Sequence, residues 1–333
     1  MTEPRASRPH MAGYGFRVAV LDDYQRVATT VADWSVLGSD VEIVVFHDHA
    51  TDEEQVVRRL TGFDAAVAMR ERTPFPRSVL ARLPDLRLLV TTGMANAVID
   101  LDAARELGVT VCGTGGWAGA MATIELAWGL ILAVARNIPA EDAGIRHGAW
   151  QVGIGTELGG KTLGIVGLGN LGPLMVPVAR ALGMEVVGWS RNLTDERCAD
   201  VGVRRLEREE FFATADVVTV HLKLGDRSIG YVGRDELRRM KPTALLVNTS
   251  RGPVVDEAAL IEALRQRWIA GAALDVFDRE PLPADHPLRH LPRTVLSPHM
   301  GYVSTESYRT HYGDAVEDVA TFLAGSPVRV LNA

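Results

Sequence analysis

Three ionisable residues stand just past the ends of three apolar, strand-like runs: Arg251 after Ala244 to Thr249, Glu280 after Ala272 to Phe277, and His299 after Thr294 to Leu296. In a parallel sheet such ends share one edge, the edge where ligands of doubly wound folds bind. A base, a carboxylate and a guanidinium would then converge on one ligand. If that ligand is a nicotinamide dinucleotide, the protein must polarise a carbonyl, exchange a proton with it and hold the rest of the substrate still. Histidine exchanges protons near neutral pH, and a neighbouring carboxylate favours its charged form. Arginine suits a 2-oxo acid, because its planar fork binds a carboxylate or carbonyl oxygen with paired donors. Singly, each residue reads as an ordinary loop residue. Their shared placement makes the argument.

The element that must position them is the stretch Lys161 to Gly172, in which an apolar run enters Gly167-Leu168-Gly169-Asn170-Leu171-Gly172 and then a second apolar segment. It reads as strand, phosphate loop and helix. Gly167 allows the tight turn, Gly169 the approach of a pyrophosphate, and Gly172 close packing of helix on strand, with the helix N-terminus facing the phosphates. A glycine pattern of this kind is weak alone. The strand-like run Met184 to Trp189 that follows strengthens it.

Around this stretch the chain alternates. Extended runs at Phe16 to Leu21, Val41 to Phe46, Asp64 to Met69 and Leu86 to Thr91 are separated by helical segments at Val27 to Leu37, Asp52 to Leu60 and Ser78 to Leu83. After Gly172 come helix Leu171 to Leu182, two short helices near Asp195 to Val201 and Arg208 to Ala213, strand Asp216 to Leu222, helix Arg234 to Met240, strand Ala244 to Asn248, helix Asp256 to Trp268, and strands Ala272 to Val276 and Thr294 to Leu296. The second half is thus expected to be a six-strand unit. Pro177 falls inside the first of its helices and should bend or shorten it. Alternation of this kind predicts an α/β protein with parallel sheets covered on both faces. Gly113 to Ala118 also fits a loose glycine loop, but helix Met121 to Arg136 gives way to Asn137-Ile138-Pro139 and a polar, glycine-containing stretch to Gly160, with no second strand. It reads as a crossover between domains. A last helix begins near Thr305, and Pro327 to Leu331 returns to the first unit.

With 333 residues, two domains and a cleft are expected. The 35 basic and 42 acidic residues leave a net charge of −7, with no basic block, which argues against nucleic acid. Two cysteines, Cys112 and Cys198, make neither metal spacing nor a disulfide framework, so a reducing cytoplasm is the expected home. Met1 to Gly15 lacks an apolar core and reads as a frayed tail. The longest apolar stretch, Ile124 to Ala135, contains Glu125 and is too short to span a bilayer; no membrane partner is expected. His47 and His49 lack a third ligand nearby, His286 and His290 flank Pro287, and His221, at a strand end, either lines the cofactor cleft or makes a structural hydrogen bond.

Several phrases are similar to the D-isomer-specific 2-hydroxyacid dehydrogenases, over most of the chain. Leu246-Val247-Asn248-Thr249-Ser250-Arg251-Gly252-Pro253-Val254-Val255-Asp256 resembles that family's arginine signature, Leu274-Asp275-Val276-Phe277 with Glu280-Pro281-Leu282 its carboxylate segment, and Ser297-Pro298-His299-Met300-Gly301 its histidine segment. The resemblance implies His299 as proton donor, Glu280 as its partner, Arg251 as substrate clamp and Asp275 near the nicotinamide amide. Cofactor contacts are implied at Gly167, Gly169, Asn170, Leu171, Gly172, Ser190, Arg191, Thr249, Ser250, Arg251, Asp275 and His299. Substrate contacts are implied at Met94, Ala95, Asn96, Arg251 and His299, with backbone N–H groups of Gly93 to Asn96 receiving the carboxylate. The implied architecture is a Rossmann coenzyme domain, residues 121–304, inserted in a discontinuous flavodoxin-like substrate domain, residues 1–120 and 305–333. Domain closure would exclude water, and helix Met121 to Arg136 would contribute to a homodimer.

Two departures from the family pattern stand out. Ala95, Ala97 and Val98 replace a second glycine and an Asp-Asn pair, and Tyr302 stands where a small residue is common; both touch substrate choice. An NAD enzyme also ends its second strand with Asp or Glu to hold the ribose hydroxyls, whereas this chain has Trp189-Ser190-Arg191-Asn192, which favours NADP(H) with NAD(H) as the alternative. The expected reaction is hydride transfer between nicotinamide and a small 2-oxo or D-2-hydroxy acid, glyoxylate and hydroxypyruvate foremost and phosphoglycerate less so. Formate is disfavoured, because that branch pairs its histidine with glutamine. An NAD(H)-sensing binding protein of co-repressor type and a hydrolase that keeps its NAD bound are the alternatives; no metal is expected.

Overall fold

A computed structural model describes residues 15–115 and 119–333. The Met1 to Gly15 tail, apart from Gly15 itself, and Gly116, Trp117 and Ala118 of the crossover lie outside the described residues. The chain divides into two compact units, one drawn from both chain ends and resuming at Val303, the other Gly119–Tyr302.

The first unit runs β1 (Phe16–Val20), α1 (Ala28–Val31), β2 (Val41–Val45), α2 (Glu53–Leu60), β3 (Ala65–Ala68), α3 (Arg77–Leu80), β4 (Leu88–Thr91), α4 (Leu101–Glu106) and β5 (Thr110–Gly113). All pairs are parallel, in the order β2-β1-β3-β4-β5, the flavodoxin-like arrangement. Strands β3 and β4 are buried at every position, so they read as continuous apolar runs without alternation. The segment Val27 to Leu37 is not one helix. Thr29, Thr30 and Val31 carry β-branches that disfavour helix, and Asp33 accepts from Ser35 N–H to start a separate 3-10 turn. Helix α4 is an addition, although Asp100, which accepts from Ala103 N–H at 2.8 Å, is the N-cap signal that announces it.

The second unit runs α5 (Ala120–Ala135), α6 (Ile138–Arg146), β6 (Thr162–Val166), α7 (Gly172–Ala181), β7 (Glu185–Trp189), α8 (Asp195–Asp200), β8 (Arg204–Arg205), α9 (Arg208–Thr214), β9 (Val217–Val220), α10 (Arg234–Arg239), β10 (Leu245–Asn248), α11 (Glu257–Arg265), β11 (Gly271–Leu274) and β12 (Thr294–Leu296). Its sheet has seven parallel strands, not six, in the order β12-β11-β10-β9-β6-β7-β8; the two-residue β8 is the extra one. The order reverses beside β6, where doubly wound sheets bind their ligand. Within the stretch after Asn137, Ile138–Arg146 is helical: Asn137 is left-handed and Pro139 occupies the first turn, where its missing N–H costs nothing. Helix α7 continues through Pro177. Apolar clusters cover both sheet faces, one around Trp189, Phe211 and Phe212, the other around α5 residues Ile124, Trp128 and Ile131.

Helix α12 (Thr305–Leu323) belongs to the first unit, and Val330 bridges antiparallel to Cys112, as expected of the returning tail. No single helix among the described residues is long and apolar enough to cross a membrane; α5 and α6 pass together by length and composition but are bent by 64°.

Asp318 of α12 is wholly buried, and burial pushes its carboxyl up to about 7 against the pull of Arg329, whose Nε donates to Oδ1 at 3.1 Å. A folded value above the unfolded one means that the native state holds the extra proton between them. This group's contribution to stability is therefore whole below about pH 4 and is lost as pH rises through about 7. Asp318→Asn should flatten that fall in urea midpoints, and an unchanged pH slope would reject the assignment.

Candidate active site

The glycine turn is built as the sequence requires. Gly167 has φ +95°, and a Cβ there would lie 2.7 Å from Leu222. At Gly172 a Cβ would collide with Gly167 O at 2.2 Å, so the start of α7 presses on the strand end. Gly169 faces open space, with nothing within 4 Å of a Cβ, which suits a close-approaching phosphate. Arg197 of α8 donates from Nε to Leu168 O at 3.0 Å and from Nη2 to Gly169 O at 2.9 Å. The loop carbonyls are thereby tied to a cation, a role the sequence did not reveal because Arg197 reads as an ordinary helix-surface residue.

At the end of β7 the Trp189 ring packs on Phe211, Phe212 and Tyr231. Arg191 N–H donates to Tyr231 Oη at 2.5 Å, its Nη1 donates to Arg227 O at 2.9 Å, and the guanidinium lies 4.7 Å from the Tyr231 ring centroid. Ser190 is half-buried beside it.

The loops after β10 and β11 are locked together. A Cβ on Gly252 would fall 2.1 Å from Phe277 C and O, so the Arg251 turn lies against the segment that leads to Glu280. Asn248 Oδ1 accepts from Ser250 N–H at 3.0 Å and Oγ at 2.8 Å, and its Nδ2 donates to Arg251 O at 3.0 Å. Thr249 Oγ1 is buried with no partner among the described residues. A buried hydroxyl left so costs about 1–3 kcal/mol and points to a group that would satisfy it.

Glu280 and His299 lie in direct contact. Glu280 Oε2 lies 2.5 Å from His299 Nδ1, and its Oε1 accepts from Phe277 N–H at 2.9 Å. The carboxylate is thus fixed at both oxygens, and the ring's Nε2 has no partner among the described residues. His299 sits at φ +51°, a left-handed conformation that its surroundings must hold. Asp275 does so. Its Oδ1 accepts from Ser297 Oγ at 2.6 Å and Met300 N–H at 2.9 Å, its Oδ2 from Gly301 N–H at 2.9 Å, and its own C=O from His299 N–H at 2.7 Å. Burial raises its pKa while these donors and the His299 charge lower it. That bracing duty was not foreseen for Asp275.

In the first unit, the loop after β4 is fixed from inside. Gly93 N–H donates to Thr114 Oγ1 at 2.8 Å, so it is not available to a ligand as the sequence had suggested. Asn96 turns inward, donating from Nδ2 to Arg70 O at 2.7 Å and Thr91 Oγ1 at 2.8 Å. Met94 and Ala95 are exposed, and no hydrogen bond engages their N–H groups among the described residues. Elsewhere, His221 Nε2 lies 2.9 Å from Thr219 Oγ1, and desolvation lowers its pKa to about 4, the structural alternative. His47 and His49 contact Asp23 and Asp22, with no metal-holding group among the described residues.

The strand order and glycine turn define a dinucleotide-binding α/β protein. Residues 128–301 match the family described as D-isomer specific 2-hydroxyacid dehydrogenase, NAD binding domain. A glyoxylate reductase of Aeropyrum pernix is 37% identical over 76% of this chain and 78% of its own length. A hydroxypyruvate reductase of Blautia hydrogenotrophica is 30% identical over 95% and 99%. The crystal structure of a phosphoglycerate oxidoreductase from Vibrio cholerae superposes with a TM-score of 0.87 at 36% identity, covering 93% of this chain and all of that one. The chain belongs to the D-isomer specific 2-hydroxyacid dehydrogenases, and it is an oxidoreductase that uses a nicotinamide cofactor.

Asp275→Ala would strip the acceptor from three donors around His299. It should cost about 1–3 kcal/mol of stability, read as a lowered denaturant midpoint; an unaltered midpoint would show that these bonds do not brace the segment.

Proposed function

We propose that the protein reduces a short 2-oxo acid to the D-2-hydroxy acid, or runs the reverse, with His299 as proton donor and acceptor, Glu280 as its partner and Arg251 as the substrate clamp. The observation that carries this reading is the 2.5 Å contact of His299 Nδ1 with Glu280 Oε2, on a segment braced by Asp275. With Nδ1 turned to the carboxylate, Nε2 is the atom that gives a proton to the substrate's carbonyl oxygen or takes it back. Arg251 binds the acid's oxygens through its planar fork and stays charged throughout. In the first unit, the N–H groups of Met94 and Ala95 receive the carboxylate, on a loop that Asn96 holds in shape. The names of the relatives support glyoxylate or hydroxypyruvate as the acid.

The residues present fit a nicotinamide dinucleotide, which when bound supplies or accepts the hydride. Gly167, Gly169, Asn170, Leu171 and Gly172 would hold its pyrophosphate at the N-terminus of α7. Thr249, with its orphaned hydroxyl, and Ser250, Arg251, Asp275 and His299 would hold the nicotinamide end. Ser190 and Arg191 would take a 2′-phosphate, since no carboxylate ends β7 and Arg191 is stacked in place on Tyr231. This favours NADP(H) over NAD(H). Exposed Ile138, Ile145, Trp150, Val152 and Ile154, the last 91% exposed, support a homodimer built on α6 and its following arm. The two free, buried cysteines suit a reducing cytoplasm.

His299→Ala should lower kcat by roughly 10² or more while cofactor still binds; unchanged turnover of glyoxylate and hydroxypyruvate would remove His299 from the mechanism. The ratio of kcat/KM for NADPH to that for NADH should exceed one and fall in Arg191→Ala. A strong NADH preference in the wild type would overturn the cofactor assignment.

A further inference from the structure

The Gly93 loop is held from inside by two residues that the proposed chemistry does not use. Gly93 N–H donates to Thr114 Oγ1 at 2.8 Å, and the same hydroxyl lies 2.9 Å from His311 Nδ1. All three residues are buried. A threonine hydroxyl has one proton, so after accepting from Gly93 it can give that proton to a ring nitrogen with a lone pair. His311 can supply one: burial, helped by Arg70, lowers its pKa to about 4, and the ring is neutral at ordinary pH.

Packing fixes the same loop a second time. A Cβ on Gly113 would lie 2.8 Å from Gly93 O and 3.2 Å from Met94 Cα, so the end of β5 forms a floor under the loop. Gly93 itself has φ +94°, and a Cβ there would fall 2.0 Å from Arg70 Nη1. That guanidinium donates to Thr92 O at 3.2 Å. The backbone conformation strains any residue with a side chain at 93, and Arg70 would have to move to make room for one. Helix α12 therefore reaches the loop through one hydroxyl, between a floor and a cation.

We infer that Thr114 and His311 are positioning residues for acid binding, which hold the Gly93 loop so that the N–H groups of Met94 and Ala95 meet the substrate's carboxylate. This rests on the function proposed above, and it adds a contribution from α12 to substrate affinity.

Steady-state kinetics with glyoxylate and with hydroxypyruvate test it. Thr114→Val should raise KM for the acid about ten-fold, the worth of one buried hydrogen bond and its stranded partner. KM for the nicotinamide cofactor should stay level, and Thr114→Ser should restore most of the acid affinity. If Thr114→Val does not fold, His311→Leu set against His311→Asn, whose amide can again accept from the hydroxyl, asks the same question. An unchanged acid KM, a cofactor KM that rises alongside it, or a serine variant no better than valine would overturn the inference alone. Wild-type protein that turns over no 2-oxo acid would overturn the proposed function and this inference together.

Discussion

The buried Asp275 carboxylate is the constraint on which the catalytic half of the molecule depends. One side chain at the end of β11 accepts hydrogen bonds from Ser297, Met300 and Gly301, and so binds the strand-end segment that carries His299 to the neighbouring strand. A buried carboxylate is costly unless several donors face it. Here the donors come from the segment that must be ordered, so one set of hydrogen bonds offsets both the desolvation of the carboxylate and the strained φ of His299. His299 is held left-handed with its ring toward Glu280 because its flanking N–H groups have no better acceptor.

The glycine turn shows the same economy further along the same edge of the sheet, at the end of β6. Gly167 and Gly172 are required by contacts that a Cβ would violate, whereas Gly169 is required by nothing in the protein. A glycine that packing does not demand suits a ligand that comes close. Thr249 makes the complementary statement, with a buried hydroxyl that the protein leaves unsatisfied. One position has spare room and the other a spare donor, and both lie just past strand ends of the same parallel sheet.

Much of this was legible in the sequence. Continuous apolar runs announced the strands, and the placement of Arg251, Glu280 and His299 past three of them announced the edge they share. What escaped has physical reasons. Helix α6 was hidden because Pro139 and Gly144 read as breakers, although a proline in the first turn favours a helix. Strand β8 has two residues, too few for any periodicity. The bracing by Asp275, the Arg197 contacts to the loop carbonyls and the Gly93–Thr114–His311 relay are long-range pairings between residues that are individually ordinary, and only the folded chain puts them together. The expectation that Gly93 offers its N–H to a ligand failed for the same reason, because its acceptor lies 21 residues away.

The contact of Gly252 with the Phe277 backbone has a consequence for how such a protein could acquire a new substrate. With no room between the two turns, the guanidinium and the carboxylate that follow them cannot be shifted separately; any insertion or bulkier residue in one turn displaces the other. The two turns form a single interlocked unit. The exposed Met94 and Ala95 carry no such constraint on their side chains. In the function proposed above, variation there would retune which acid is accepted while the interlocked turns of the other unit stay as they are.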